Sequence, residues 1–197
     1  MKNFIKEWWL IFTILIVLIL SRVFIFASVI VDGHSMDPSL QDKERMFTLK
    51  RTKLKRFDIV VSKGPEDLKK RIVKRIIGMP GETVTYDRDQ LYINGKKYDE
   101  PYLDKYKKLW KKDKLQETYS YDPGFQYKAS TISAFTVNYN DEAKFTIKVP
   151  LKHYLLLGDN RPISKDGRYP GVGPISASLI EGEAKFAFWP PKRIRLV

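Results

Sequence analysis

Ile72-Val73-Lys74-Arg75-Ile76-Ile77-Gly78-Met79-Pro80-Gly81 is the stretch on which the fold turns. Its first six residues are rich in β-branched side chains and run into a Gly- and Pro-containing turn, so they read as one short strand. A strand puts Lys74 on the same face as Ile72 and Ile76, with Arg75 opposite beside Val73 and Ile77. An ammonium group on an apolar face is costly, and burial lowers its pKa. A lysine at about 10.4 is neutral about once in 2,500 molecules at pH 7; a shift to about 8 raises that to about one in ten. The bland alternative is an edge lysine whose stem lies on the sheet while its head reaches water.

Working outward, the runs 45–49, 57–61, 83–86, 91–93 and 154–157 have the same Val-, Ile-, Tyr- and Phe-rich character and are separated by Gly, Pro and Asp. Asn94-Gly95 is a strong hairpin signal. Short strands at this spacing predict a mainly β protein, a compact, curled antiparallel sheet rather than a parallel sheet with crossover helices. No repeat at a fixed period is visible.

Towards the amino terminus, residues 8–31 are almost wholly apolar, broken by Thr13, Ser21-Arg22 and Ser28. That length crosses a hydrocarbon core of roughly 30 Å as one helix. A cleavable leader has an apolar run of about 7 to 15 residues and a small-residue exit, and this run continues through Phe24, Phe26 and Ile30. It therefore reads as a retained anchor. Trp8 and Trp9 suit one interface, and Arg22 suits the other by snorkelling. Orientation does not follow, because Lys2 and Lys6 face an equally basic flank at Lys43, Arg45, Lys50 and Arg51.

About 165 residues remain beyond the anchor, enough for one sizeable core. The net charge of +13 lies mostly there, since residues 1–31 supply only Lys2, Lys6 and Arg22 against Glu7. Such a balance favours anionic partners, and for a tethered domain these are lipid headgroups before nucleic acid. With no cysteine, disulfides, thiol catalysis and thiolate metal sites are excluded.

Residues 96–142 differ in composition. A lysine run (Lys105, Lys107, Lys108, Lys111, Lys112, Lys114) precedes a polar, tyrosine-rich passage through Tyr119, Tyr121, Tyr127 and Tyr139, which reads as an insertion into the sheet. Tyr102, Tyr106, Leu109 and Trp110 recur at helical spacing, giving an apolar stripe that faces either lipid or the core. The organisation expected is thus 1–31 tip and anchor, 32–95 plus 143–197 catalytic β domain, and 96–142 inserted module.

The chemistry narrows by elimination. His34 and His153 are the only histidines; His34 adjoins Ser35 in an extended segment, where neighbouring side chains point apart. They show no metal-ligand spacing, and no Gly-x-x-x-x-Gly-Lys phosphate loop is present. A serine activated by a neutral lysine remains, and Ser35-Met36-Asp37-Pro38 supplies the serine.

Four segments in order resemble the boxes of the type I signal peptidases, peptidase family S26. These are Gly33-His34-Ser35-Met36-Asp37-Pro38-Ser39-Leu40, Arg56-Phe57-Asp58-Ile59-Val60-Val61, the opening stretch around Lys74, and Gly158-Asp159-Asn160-Arg161 with Ser164, Asp166 and Arg168. The passage from Gly95 to Leu103 is most similar to the Gram-positive, streptococcal members. The resemblance implies a signal-peptidase-like β domain behind one transmembrane helix, its catalytic part extracytoplasmic and its amino terminus cytoplasmic. It implies Ser35 as nucleophile and Lys74 as general base, with no metal or other cofactor. Ser164 would bond the Lys74 amine. Asp159, Asn160, Arg161, Asp166 and Arg168 would brace the loop, through pairs such as Asp166 with Arg168 and Asp159 with Arg75. Val31, Met36, Leu40, Ile72 and Val73 would wall the pockets for small substrate residues. Precursors bearing signal peptides and anionic membrane lipids are the implied partners, and nucleic acid is not.

This chain departs from the resemblance at three positions: Gly33 lacks the hydroxyl of some relatives, Pro162 stands for Asp, and Gly167 for Ser. Gly33 leaves the second oxyanion donor unassigned. Two rival readings are weighed against the peptidase. A non-catalytic assembly factor for exported proteins would have lost a dyad residue, and both are present. A soluble serine-lysine autoprotease fused to nucleic-acid recognition would carry a helix-turn-helix where the apolar span stands.

Overall fold

The computed structural model describes residues 8–17 and 26–197. Residues 8–17 are helical (α1) with their apolar side chains outward; the remainder of the expected anchor, 18–25 with Arg22, lies outside the described residues. No helix among the described residues is long and apolar enough to cross a membrane.

The carboxyl-terminal end of the expected anchor is corrected. Phe26–Ile30 is a strand, β1, paired antiparallel with β2 (Arg45–Leu49) from Phe26 opposite Leu49 to Ile30 opposite Arg45. Val29 packs on a core of Val31, Met36, Leu40, Met46, Ile59, Val61 and Ala184, while Phe26 and Ile30 stay exposed. In a run apolar at almost every position, with Ser28 the one polar residue of the strand, no alternation betrays a strand of this kind.

The main sheet continues through β3 (Ile59–Lys63), β4 (Arg71–Gly78), β9 (His153–Leu157), β10 (Ile175–Ser176), β11 (Ile180–Trp189) and β12 (Arg195–Leu196). Its order is β1-β2-β11-β3-β4-β9-β10, with β12 beside β11 and every pairing antiparallel. The expected runs 45–49, 72–77 and 154–157 fall on these strands, and 57–61 does so from Ile59 onward, Phe57 and Asp58 lying in the turn before β3, where Phe57 has φ +70. Central β11 was not anticipated. A second sheet, ordered β7-β6-β5-β8, comprises β5 (Thr83–Asp87), β6 (Gln90–Ile93), β7 (Lys96–Tyr98) and β8 (Lys144–Lys148). Asn94 and Gly95 both take positive φ in its β6–β7 hairpin, as a two-residue turn of primed type requires.

Order decides what the site needs. β1 and β4 lie four ladder steps apart, about 19 Å in a flat sheet, yet residues of both line one cleft of about 200 Å³. The sheet must curl to bring them face to face, and its register shifts within β11 and between β4 and β9 supply local bends.

Where the two sheets meet, Gly78 closes β4 against Val84, Val149 and Leu155. A Cβ there would stand 2.7 Å from Val149 Cγ2 and 2.8 Å from Val84 Cγ2. Gly78→Ala is expected to cost about 1–3 kcal/mol through overpacking, read as a lower unfolding midpoint.

The insertion is a small helical body rather than a loop. Its strand β7 belongs to the second sheet, so the helical part begins at the 3-10 turn Pro101–Leu103, followed by α2 (Asp104–Asp113) and α3 (Pro123–Thr131). Tyr106 and Trp110 of the predicted stripe are buried, and Tyr102 and Leu109 pack beside them against Leu103, Tyr119, Phe125 and Phe135. The stripe therefore faces a core of its own. Asp122 caps α3 by accepting from the Phe125 N–H, and Pro123 sits where its missing N–H costs nothing.

Candidate active site

Ser35 sits in the turn between β1 and β2. Val31 N–H donating to Glu44 O and Lys43 N–H donating to Val31 O close its base. Met36 and Leu40 anchor it in the core, while Ser35 stays partly exposed. Gly33 has φ +86 and donates its N–H to Asp42 Oδ1 at 2.7 Å, so a hydroxyl-bearing residue there would be strained. The turn needs a glycine more than a donor.

Lys74 lies in β4, only 5% exposed, and its face is shared with Ile72 and Ile76 as the strand period requires. Burial brings its ammonium from 10.5 down to about 8; Asp166 opposes the shift, Arg168 adds to it, and Asp159 opposes it weakly. Both carboxylates are already paired, Asp159 with Arg75 at 2.6 Å and Asp166 with Arg168 at 2.8 Å, so neither locks the lysine in its charged form. These are the two ion pairs the resemblance implied.

The cleft is lined by Ser35 and Lys74 together, with Val31, Met36, Ile72 and Val73 of the expected walls and also Val29, Ile30, Asp32 and Arg71. Leu40 is not among the lining residues. It is fully buried behind the turn and acts there as packing.

The loop after β9 braces both groups. Arg75 forks onto Asp159, donates to Phe57 O at 2.7 Å and to Ser39 Oγ at 3.1 Å, and lies over the Tyr102 ring. Asn160 donates its backbone N–H to Ser35 O at 3.1 Å and its side-chain amide to His34 O at 3.1 Å. Arg161 is buried against Glu100 at 2.5 Å, Tyr86 Oη and Gly158 O. Arg168 ties Asp166 to the carbonyls of Val137, Arg161 and Ser164. Burial pushes the Asp166 carboxyl up, but Arg168, Lys74 and the Gly158 N–H together hold it below the ordinary range.

Ser164 does not make its expected bond to Lys74 in this conformation. Its Oγ is buried and has no hydrogen-bond partner among the described residues. A Cβ at Gly158 would overlap both that hydroxyl and the Ser35 carbonyl, so Gly158 is what lets the loop approach the Ser35 turn. Gly167 is constrained likewise, since a Cβ would come within 2.6 Å of Leu155 Cδ1; a serine there requires the loop to shift. His34 is not placed for a triad with Ser35: its Nδ1 lies 3.0 Å from Asp37 Oδ2, but its Nε2, the atom that would have to meet the Ser35 hydroxyl, lies 3.4 Å from Tyr121 Oη. Among the described residues no acid, histidine and cysteine group forms a metal site. Glu100 and Tyr119 are the contributors that residue-by-residue reading missed; Gly158 stands in the fourth resembling segment, but without an assigned role.

A serine and a deprotonatable lysine in one cleft is the constellation of a serine hydrolase without histidine, and the family model that matches residues 3–189 is described as signal peptidase, peptidase S26. The chain belongs to this family. The peptidase is 51% identical to signal peptidase I of Streptococcus pneumoniae strain R6, over 98% of this chain and 97% of that one. It is 41% identical to signal peptidase I S of Bacillus subtilis strain 168, over 98% and 94%. Among solved structures, a signal peptidase I from Enterococcus faecalis V583 shares 33% identity, covering 67% of this chain and 97% of that one, at a TM-score of 0.47. The peptidase is accordingly a hydrolase of the signal-peptide-processing class.

Proposed function

We propose that this chain is a membrane-bound endopeptidase that removes signal peptides from exported precursors with a Ser35/Lys74 dyad. The observation that carries the reading is that Ser35 and a lysine titrating near neutrality line one cleft. Neutral Lys74 accepts the Ser35 proton as Oγ bonds the scissile carbonyl carbon. The resulting ammonium gives that proton to the leaving amine as the C–N bond breaks. Lys74 then takes a proton from water while the hydroxide attacks the ester, and Ser35 leaves reprotonated. Ser35 N–H, which has no acceptor among the described residues, faces the developing oxyanion. Ser164 Oγ is the spare hydroxyl for orienting the amine.

The carboxyl-terminal end of the signal peptide lies extended between Val29–Asp32 and Arg71–Lys74, where strand-edge bonding gives affinity and the shallow walls favour small side chains. Tethering by the amino-terminal apolar segment, with the catalytic domain extracytoplasmic, puts enzyme and precursor on one surface and raises their effective concentration. The basic domain then rests against anionic lipid.

The test is a pH profile on a lipid-embedded precursor ending in Ala-x-Ala. Because only the neutral amine is a base, kcat/KM is expected to fall about tenfold per pH unit below about 8. A profile flat from pH 6 to 9 would remove Lys74 from the role.

A further inference from the structure

Tyr119 comes from the inserted module, yet its hydroxyl is the hub of a buried hydrogen-bond cluster beneath the nucleophile turn. It donates to Asp37 Oδ2 at 2.7 Å and accepts from Asn160 Nδ2 at 2.9 Å. Its one proton is committed to Asp37, so Tyr106 Oη, 2.9 Å away, must donate to it. The Tyr119 side chain is 2% exposed, and burial followed by the Asp37 contact raises its pKa, keeping the phenol a donor.

Asn160 Nδ2 spends its other proton on His34 O, while Asn160 Oδ1 is buried with no partner among the described residues. The amide therefore faces His34 with its nitrogen, since the flipped form would set two oxygens together. His34 C=O and Ser35 N–H are opposite edges of one planar trans peptide. Holding the carbonyl on one side aims the N–H to the other. We propose that Tyr119 is a positioning residue: acting through Asn160, it orients the Ser35 N–H that stabilises the oxyanion, so the inserted module is a working part of the active site. This rests on Ser35 being the nucleophile. It also meets the question Gly33 raises, since a site without a hydroxyl there depends more heavily on its backbone donor.

Misalignment of an oxyanion donor weakens binding of the transition state more than of the ground state. Tyr119→Phe in the full chain is therefore expected to lower kcat about 10- to 100-fold, short of the 10²- to 10³-fold loss for deleting a donor. KM should stay within about twofold, and the low-pH limb should keep its midpoint because Lys74 is untouched. Tyr119→Phe added to Asn160→Ala should cost little beyond Asn160→Ala alone, as one pathway is cut twice.

Phe125→Leu separates this from mere module stability. Phe125 packs on the Tyr119 ring, 4.5 Å between centroids, but shares none of the side-chain hydrogen bonds; it should lower the unfolding midpoint with kcat within about twofold. Parent-like kcat in Tyr119→Phe, or an equal kcat loss in Phe125→Leu, overturns the inference. Ser35→Ala in the same series distinguishes the two failures: residual cleavage there sinks the nucleophile assignment, whereas a dead Ser35→Ala beside a parent-like Tyr119→Phe sinks only the role of Tyr119.

Discussion

Lys74→Met is expected to abolish precursor cleavage and, at neutral pH, to make the protein more stable. Removing one member of a catalytic pair commonly costs 10⁴-fold or more in kcat, and Ser35→Ala combined with it should be no worse than either alone. The stability gain follows from linkage. The folded-state pKa of Lys74, about 8, lies below its ordinary 10.5, so between those values the unfolded chain binds the proton and the native state does not. Stability of the parent therefore rises with pH across that window. Below about pH 8 it carries the full cost of a buried ammonium, about 3 kcal/mol. Methionine has similar length and no charge, so its advantage should be complete at pH 7 and gone by about pH 10.5. Denaturant unfolding at pH 7 and pH 10, beside a cleavage assay, reads both effects. Residual cleavage within 100-fold of the parent, or a gain that does not shrink with pH, contradicts the assignment.

Glu100→Leu should produce the largest loss of stability from one side chain outside the dyad. Glu100 and Arg161 are both nearly inaccessible, 4% and 1% exposed, and sit 2.5 Å apart, with Tyr86 and Tyr102 hydroxyls donating to the same carboxylate oxygen. Burial raises the Glu100 carboxyl, and Arg161, with the Tyr102 hydroxyl and Lys107, more than offsets this, holding it below the ordinary value. Stranding a buried guanidinium costs about 3–5 kcal/mol, which for a chain of this size lowers the melting temperature by about 6–20 °C. Activity should fall too, because Arg161 holds Gly158 O, and Gly158 is where the loop meets Ser35. Arg161→Met added to Glu100→Leu should recover part of the loss, since the uncompensated charge is then gone. A single-variant cost under about 1 kcal/mol would show that water reaches the pair.

Legibility of the chain varied with the locality of the signal. The 45–49 strand matches its expected bounds, because alternating Met46 and Thr48 burial is written in five consecutive residues. β11 was invisible for the opposite reason. Glu181, Gly182, Glu183 and Lys185 lower its strand character, and it is held centrally by β2 and β3, which lie more than a hundred residues earlier. β1 was hidden by excess, apolar at almost every position. Within the insertion α2 was readable from its stripe, whereas α3, with Gly124, Ser130 and Thr131, has no comparable face. At the site, the Asp159–Arg75 and Asp166–Arg168 pairs were anticipated, while Glu100 and Tyr119 were not, since nothing local marks partners 61 and 82 residues away.

Local chemistry alone settled which groups were available: no thiol, two histidines without metal-ligand spacing, one serine in a tight turn and one lysine among isoleucines. It also settled the β character of most of the domain, because side-chain alternation is a short-range property. Curling of the sheet decided that Ser35 and Lys74 share a cleft, since strands four steps apart meet only when the layer bends. Folding likewise decided the lowered pKa of Lys74 and the hub at Tyr119, because desolvation and buried hydrogen bonds depend on atoms that are neighbours in space and strangers along the chain.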